Sequence, residues 1–284
     1  KGNGHKGYSE LRVETQKIKP TISGHEEFAA FKSTVTDIFV KWRAANVKRL
    51  KGFDQEGQPK ELIATIAEDL LAAFKAAPLL DSYDMYQHLM DYWAATMQDD
   101  CYLIAADGWV AETHRVLEEV KSGKKKGEMK DKGWACDLIP KPYIVARYFA
   151  KEQAALDAKQ AEQEAVSGQI TEFEEEHSTE DGAFAGFDKI NAAQVKDRVK
   201  EIGTDPEAKE ELAVLKQWLK LSEQESQLKK TVKELDAKLD QQAHDHYAKL
   251  SVTDIKSLVV NDKWLARLAA DLQGEIDRVG QTLT

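Results

Sequence analysis

Leu79–Trp109 reads LLDSYDMYQHLMDYWAATMQDDCYLIAADGW, and the architecture of the chain turns on how this stretch is divided. Pro78 stops whatever precedes it. Asp81 can accept a hydrogen bond from the free amides of a first helical turn, and Asp84 places a carboxylate at the positive end of the dipole. Tyr86, Leu89, Met90, Trp93 and Met97 recur at three- and four-residue spacing, which predicts an amphipathic helix with Gln87, Asp91 and Gln98 facing out. After Asp99 and Asp100 the period changes. Cys101, Leu103 and Ala105 alternate with Tyr102 and Ile104, and Asp107-Gly108 has turn chemistry, so the expectation is a helix feeding a strand and a hairpin.

Upstream, Ser23 and Glu26 have the spacing of a capping box, and Phe28, Phe31, Val35, Ile38, Phe39 and Trp42 follow at helical period up to Lys51-Gly52. Pro59 suits the first turn of a second helix with a Leu62, Ile63, Ile66, Leu70, Phe74 stripe. Three helices joined by short connections form a bundle. Downstream, strands are expected around 102–105, 109–120 and 134–139, with the polar run KSGKKKGEMKDKG (Lys121–Gly133) as an exposed loop.

From Pro142 the pattern is that of one long helix, with Val145, Phe149, Leu156, Val166, Ile170 and Phe173 on its stripe and Glu152, Lys159 and Gln163 interrupting it. A connection over 177–204 holds one short helix near Asn191–Ile202. Thr204 or Asp205, followed by Pro206 and Glu207, then starts a second long helix carrying Leu212, Leu215, Leu219, Leu221, Leu228, Val232, Leu235, Leu239, Gln242 and His246. Neither rod can bury its stripe alone, and folding back antiparallel is the simplest remedy. Ser251 and Asp254 open the final helical segment. The expected fold class is therefore mainly α with a small β-sheet (α+β), a helical core plus a long antiparallel coiled-coil hairpin. Its parts are an extended leader over 1–22, a core over 23–142 with strands within 101–139, the hairpin over 143–250 with its tip around 177–205, and C-terminal helices over 251–284.

Composition narrows the function classes. With 42% hydrophobic and 32% charged residues, the chain has enough apolar surface for a real core and is not of disordered type. A net charge of −10 repels a phosphate backbone overall, so contact with nucleic acid needs a local basic patch. Residues 1–60 supply one: twelve Lys and Arg against seven Asp and Glu. Lys41, Arg43, Lys48, Arg49 and Lys51 are its densest part on a helix, and Lys124, Lys125 and Lys126 in the polar run are a second candidate. The alternatives are a basic helix end complementing its dipole and a solvated hairpin tip. No apolar run approaches the length of a membrane span, no secretory signal is visible, and Cys101 and Cys136 have no metal-ligand spacing, so a cytoplasmic location is expected.

Other candidate chemistry is sparse. The run Gly2-Asn3-Gly4-His5-Lys6-Gly7 matches GxGxxG but follows no strand and opens no helix. Asp84, His88 and Asp91 share a helical row that could hold a divalent metal or simply make polar pairs along the surface. His244 and His246 are two apart and point to different sides. Cys101 has no neighbouring base to activate it.

Three stretches carry a family resemblance: Leu79–Trp109 as quoted, DLIPKPYIVARYFAKEQAALDA (Asp137–Ala158) and IKSLVVNDKWLARLAADLQGEIDRVGQTLT (Ile255–Thr284). Together they resemble a region of the modification subunits of type I restriction-modification systems, downstream of their adenine-N6 DNA methyltransferase domain. The resemblance implies a carboxy-terminal region whose parent protein uses S-adenosylmethionine. This chain has neither an Asn-Pro-Pro-aromatic loop nor a glycine-rich strand-to-helix turn, so no catalytic, cofactor or metal residues are expected in it. The implied partners are the specificity subunit, through it the restriction subunit, and double-stranded DNA, with no membrane. In such subunits C-terminal helices pack on helical spacers of the specificity subunit. The candidate interface residues here are Phe149, Leu156, Val166, Ile170, Leu228, Val232, Leu235 and Leu239. The alternative function is a non-specific DNA-binding module acting through the basic helix and the lysine run.

Overall fold

The computed structural model describes residues 20–22, 24–123, 127–203 and 205–282, and the protein is mainly helical with a small antiparallel sheet. It divides into two compact units, 1–143 with 247–284, and 144–246. Among the described residues no helix is long and apolar enough to cross a membrane.

In the first unit α1 (Glu26–Gly52) buries Phe31, Val35, Phe39, Trp42, Asn46 and Leu50 at three- and four-residue steps. Its N-cap is His25, whose Nδ1 accepts from the Glu27 amide at 3.3 Å; Ser23 of the expected capping box lies outside the described residues. Helix α2 (Pro59–Phe74) buries the whole expected stripe, and the Trp42 indole donates to the Ile66 carbonyl at 3.2 Å to join it to α1.

The decisive stretch is one continuous helix, not a helix feeding a strand. Asp81 caps it, accepting from the Tyr83 amide at 2.9 Å. It runs as α3 (Ser82–Tyr92), a π-helical turn (Trp93–Met97) and α4 (Gln98–Asp107). Its buried side chains are Met85, Leu89, Tyr92, Trp93, Met97, Asp100, Cys101 and Ile104; Tyr86 and Met90 are only half-buried. Steps of four advance the buried face of an α-helix by about 40° each, since each residue turns about 100°. The wider π turn absorbs that drift, and this is why the sequence period breaks here without the helix ending. Gly108 ends it: φ is 78° and ψ −165°, a conformation open to glycine alone, and its amide donates to the Ile104 carbonyl at 2.9 Å.

The expected strands shrink to a two-stranded ribbon, β1 (His114–Glu119) with β2 (Met129–Ala135), irregular between Arg115 and Leu117. Residues 102–105 are helix, and 109–113 and 136–139 lie outside the ladder. Met129–Gly133, read as loop, belongs to the strand, with Met129, Lys130 and Asp131 paired and Lys132 and Gly133 at the irregularity. Most of the ribbon's side chains are exposed, so it needs no apolar alternation and shows none.

Ser251 and Asp254 form a true capping box that opens α9 (Val252–Ser257). A second π segment (Leu258–Leu265) follows, then α10 (Ala266–Thr282), again as one continuous helix. Leu258, Val259, Val260, Lys263, Trp264 and Leu265 are all buried, so this segment is enclosed nearly all round. Helix α10 packs on α1 and α3, which places the C-terminal helix within the first unit.

The chain passes to the second unit within α5 (Lys141–Tyr148). The single long helix expected from Pro142 is broken at Phe149, whose φ of −129° and ψ of 27° separate α5 from α6 (Ala150–His177). Then come α7 (Ala192–Ile202), capped by Asn191, and α8 (Lys209–Tyr247). Helix α8 starts later than read from Pro206, because Asp205 accepts from the Glu207 amide in a turn before it. Phe184, Val195, Ile202, Leu215 and Trp218 form a small core, with Ile170 and Phe173 packed against it.

Candidate functional site

Four places come into question: a cleft in the first unit, the polar row on α3, the basic face of α1, and the stripes of α6 and α8.

The cleft holds about 840 Å³ and is lined by Tyr92, Ala95, Thr96, Asp99, Asp100, Tyr102, Leu103, Asp137, Pro140, Tyr143, Lys263 and Arg267. Both π segments reach it, the first through Ala95 and Thr96 and the second through Lys263. Its floor is a buried ion pair. Lys263 Nζ donates to Asp100 Oδ1 at 2.8 Å and to the Leu138 carbonyl at 2.8 Å, while the Trp264 indole donates to Asp100 Oδ2 at 2.7 Å. The Tyr92 hydroxyl donates to the Lys263 carbonyl at 3.2 Å. Burial pushes the Asp100 carboxyl above its usual range, against the pull of the Lys263 charge and hydrogen bonds. Burial also raises Tyr92 and Tyr143, and pushes the Cys101 thiol up to about 12. The Cys101 side chain is fully enclosed in the core of the first unit. Cys136 is likewise buried and its thiol raised.

The row of Asp84, His88 and Asp91 is taken up by pairing. His88 Nε2 lies 2.8 Å from Glu275 Oε1, Arg278 donates to Asp84 at 2.7 Å and to Glu275 at 2.6 Å, and Gln87 donates to Asp91 at 2.6 Å. Two of the three thus tie α3 to α10. Burial pushes Glu275 up, but the hydrogen bonds from His88 and Arg278 outweigh it and hold the carboxyl below its usual range. Among the described residues no group of three His, Cys, Asp or Glu is arranged to hold a metal.

The basic residues of α1 do not form one patch. Lys41 and Lys48, seven residues apart, share a face, and Lys51 lies beside it, whereas Arg43 is turned by about 160° from Lys41, at about 100° per residue. Arg49 is committed to Asp69 at 2.9 Å and to Asn46. Lys124, Lys125 and Lys126 lie outside the described residues.

In the second unit Leu156, Val166, Leu228 and Leu239 are buried, and Phe149, Ile170, Val232 and Leu235 are half-buried. The most exposed large apolar side chains, such as Leu117 and Met129, all lie outside α6 and α8. Among the expected interruptions Glu152 is exposed, while Lys159 and Gln163 are half-buried, as is Gln242 on the stripe of α8. The Trp218 indole donates to Glu174 at 2.7 Å, and the His246 ring packs on Tyr148 and Phe149 with centroids 4.1 Å and 5.5 Å apart. The oxygen Oε1 of Gln242 is buried without a hydrogen-bond partner among the described residues.

The sequence reading missed the cleft altogether. Its residues carry little signal of their own, since Asp100 follows Gln98 and Asp99 and Lys263 follows Asn261 and Asp262, and nothing in the spacing pairs residues 163 apart. Comparison with known proteins adds no neighbour: no family model, curated protein or solved structure matches this chain.

Proposed function

We propose that this chain is an assembly region of a type I restriction-modification modification subunit, and that α6 and α8 form an antiparallel coiled hairpin that docks on helices of the specificity subunit. The family assignment rests on the sequence resemblance in Leu79–Trp109, Asp137–Ala158 and Ile255–Thr284. The docking role is carried by one observation: four apolar side chains of the two stripes, Phe149, Ile170, Val232 and Leu235, stay only half-buried within the chain.

Two further facts support the pairing. Trp218 and Glu174 join the start of α8 to the end of α6, and His246 meets Tyr148 and Phe149 at the other end. The helices span about 42 Å and 58 Å at 1.5 Å per residue for their 28 and 39 residues. With Leu156, Val166, Leu228 and Leu239 already covered, partner contact falls to Phe149, Ile170, Val232 and Leu235. The DNA role is secondary in this reading and belongs to Lys41, Lys48 and Lys51.

Size-exclusion chromatography of the chain mixed with the specificity subunit tests it. Co-elution is expected, with loss of the complex in Val232→Asp/Leu235→Asp while helicity by circular dichroism is unchanged. Separate elution of the two wild-type proteins overturns the reading.

A further inference from the structure

We propose that the cleft of the first unit is a receptor for the guanidinium group of an arginine presented by a partner polypeptide. This does not rest on the docking of α6 and α8, which belong to the other unit.

The charge balance comes first. Three carboxylates line the cleft, Asp99, Asp100 and Asp137, against two cations, Lys263 and Arg267. Both cations are already engaged: Lys263 by Asp100 and the Leu138 carbonyl, Arg267 by Asp271 through bonds of 3.0 Å and 3.1 Å. On the rim Asp99 and Asp137 are exposed, and the only basic side chain paired with either among the described residues is the His114 imidazole, 3.8 Å from Asp137. An anion entering here meets two carboxylates whose charge nothing strong offsets; a cation meets two acceptors.

The walls select the kind of cation. Tyr92, Tyr102 and Tyr143 contribute rings, and Leu103, Ala95 and Pro140 apolar surface, so the walls suit a weakly hydrated cation with flat faces. A guanidinium is planar and weakly hydrated; it stacks on aromatic faces and forks onto carboxylates. The protein already makes this pairing once at the same place, with Arg267 over the Tyr92 ring at 5.7 Å.

The backbone marks the site independently. Only two π-helical segments occur among the described residues, at Trp93–Met97 and Leu258–Leu265, and both border this one cleft. Insertions of this kind concentrate where a helix must aim side chains at a site. Here they set Lys263 and Trp264 onto Asp100, which fixes the floor and leaves Asp99 and Asp137 outside that pair. A volume of about 840 Å³ exceeds one side chain, so the arginine would enter with its flanking backbone.

The test follows the Trp264 and Trp109 indole N–H resonances of the ¹⁵N-labelled chain during titration with acetyl-Gly-Arg-Gly-amide, with the citrulline analogue, and with agmatine. Saturable shifts with the arginine peptide are expected, with binding at least about tenfold weaker for citrulline, which keeps the shape and loses the charge. Asp99→Asn/Asp137→Asn should weaken binding as much while leaving Tm unchanged, since both side chains are exposed. No saturable shift at millimolar peptide, equal binding of citrulline, or undiminished binding by the double variant overturns the proposal. Tighter binding of agmatine than of the peptide overturns its polypeptide source.

Discussion

Lys263 Nζ lies 2.8 Å from Asp100 Oδ1, with both side chains about 5% exposed or less, and so joins two helices 163 residues apart in the chain. Each helix meets this contact at or just after a π segment, and the Trp264 indole completes the coordination of Asp100. The pair is the hub on which the C-terminal helix is set into the first unit.

Removing one member should be far worse than removing both. Lys263→Met or Asp100→Leu leaves an uncompensated buried charge and should destabilise the unit by about 3–5 kcal/mol, while the double variant recovers much of that loss. Urea unfolding of the four proteins of the cycle measures it. Single losses below about 1 kcal/mol would show that the pair is not the hub.

The His88–Glu275–Arg278 clamp makes stability depend on pH. The folded value of Glu275 lies below its ordinary value of about 4.5, so its contribution is present above that value and is lost as pH falls through the folded one. Tm of the wild type should therefore drop more steeply than that of Glu275→Gln below about pH 4.5, the two curves converging in acid. Parallel curves would mean that the carboxylate is not held by the clamp.

Two glycines should respond in opposite directions. Gly108→Ala forces a side chain into a glycine-only conformation and should cost about 1–3 kcal/mol. Gly168→Ala, in the middle of α6 with open space around the added methyl, should stabilise by about 0.5–1 kcal/mol. Thermal unfolding of each variant decides both signs.

Duplex DNA should be bound weakly, through Lys41, Lys48 and Lys51. Three lysines displace at most three counterions, so the slope of log K against log salt should be no steeper than about −3. Binding should vanish in the triple alanine variant. Fluorescence anisotropy of a labelled duplex measures both, and a steeper slope would place the DNA contact elsewhere.

The reach of the sequence is uneven for physical reasons. Helices α1, α2 and α7 are legible because each buries a stripe at helical spacing, and α2 and α7 also open on Pro59 and Asn191, although the His25 cap of α1 is not the one its sequence suggests. The run through Cys101 to Ala105 misled because a π turn shifts the buried face, and a shifted helical stripe imitates a change to strand period. The ribbon of β1 and β2 was misplaced because a sheet wet on most of its side chains needs no apolar pattern. Helix α8 was readable as a rod, but burial of Leu156, Val166, Leu228 and Leu239 within the chain leaves fewer residues for the proposed interface than the stripe implied. The cleft depends on long-range juxtaposition, which periodicity does not encode.

Hydrogen–deuterium exchange of the chain with and without the specificity subunit tests the docking role most directly. Protection should fall on α6 and α8, strongest around Val232, Leu235 and Gln242, with the amides of α1 and α2 unchanged. Protection confined to the first unit, or none on α8, would contradict it.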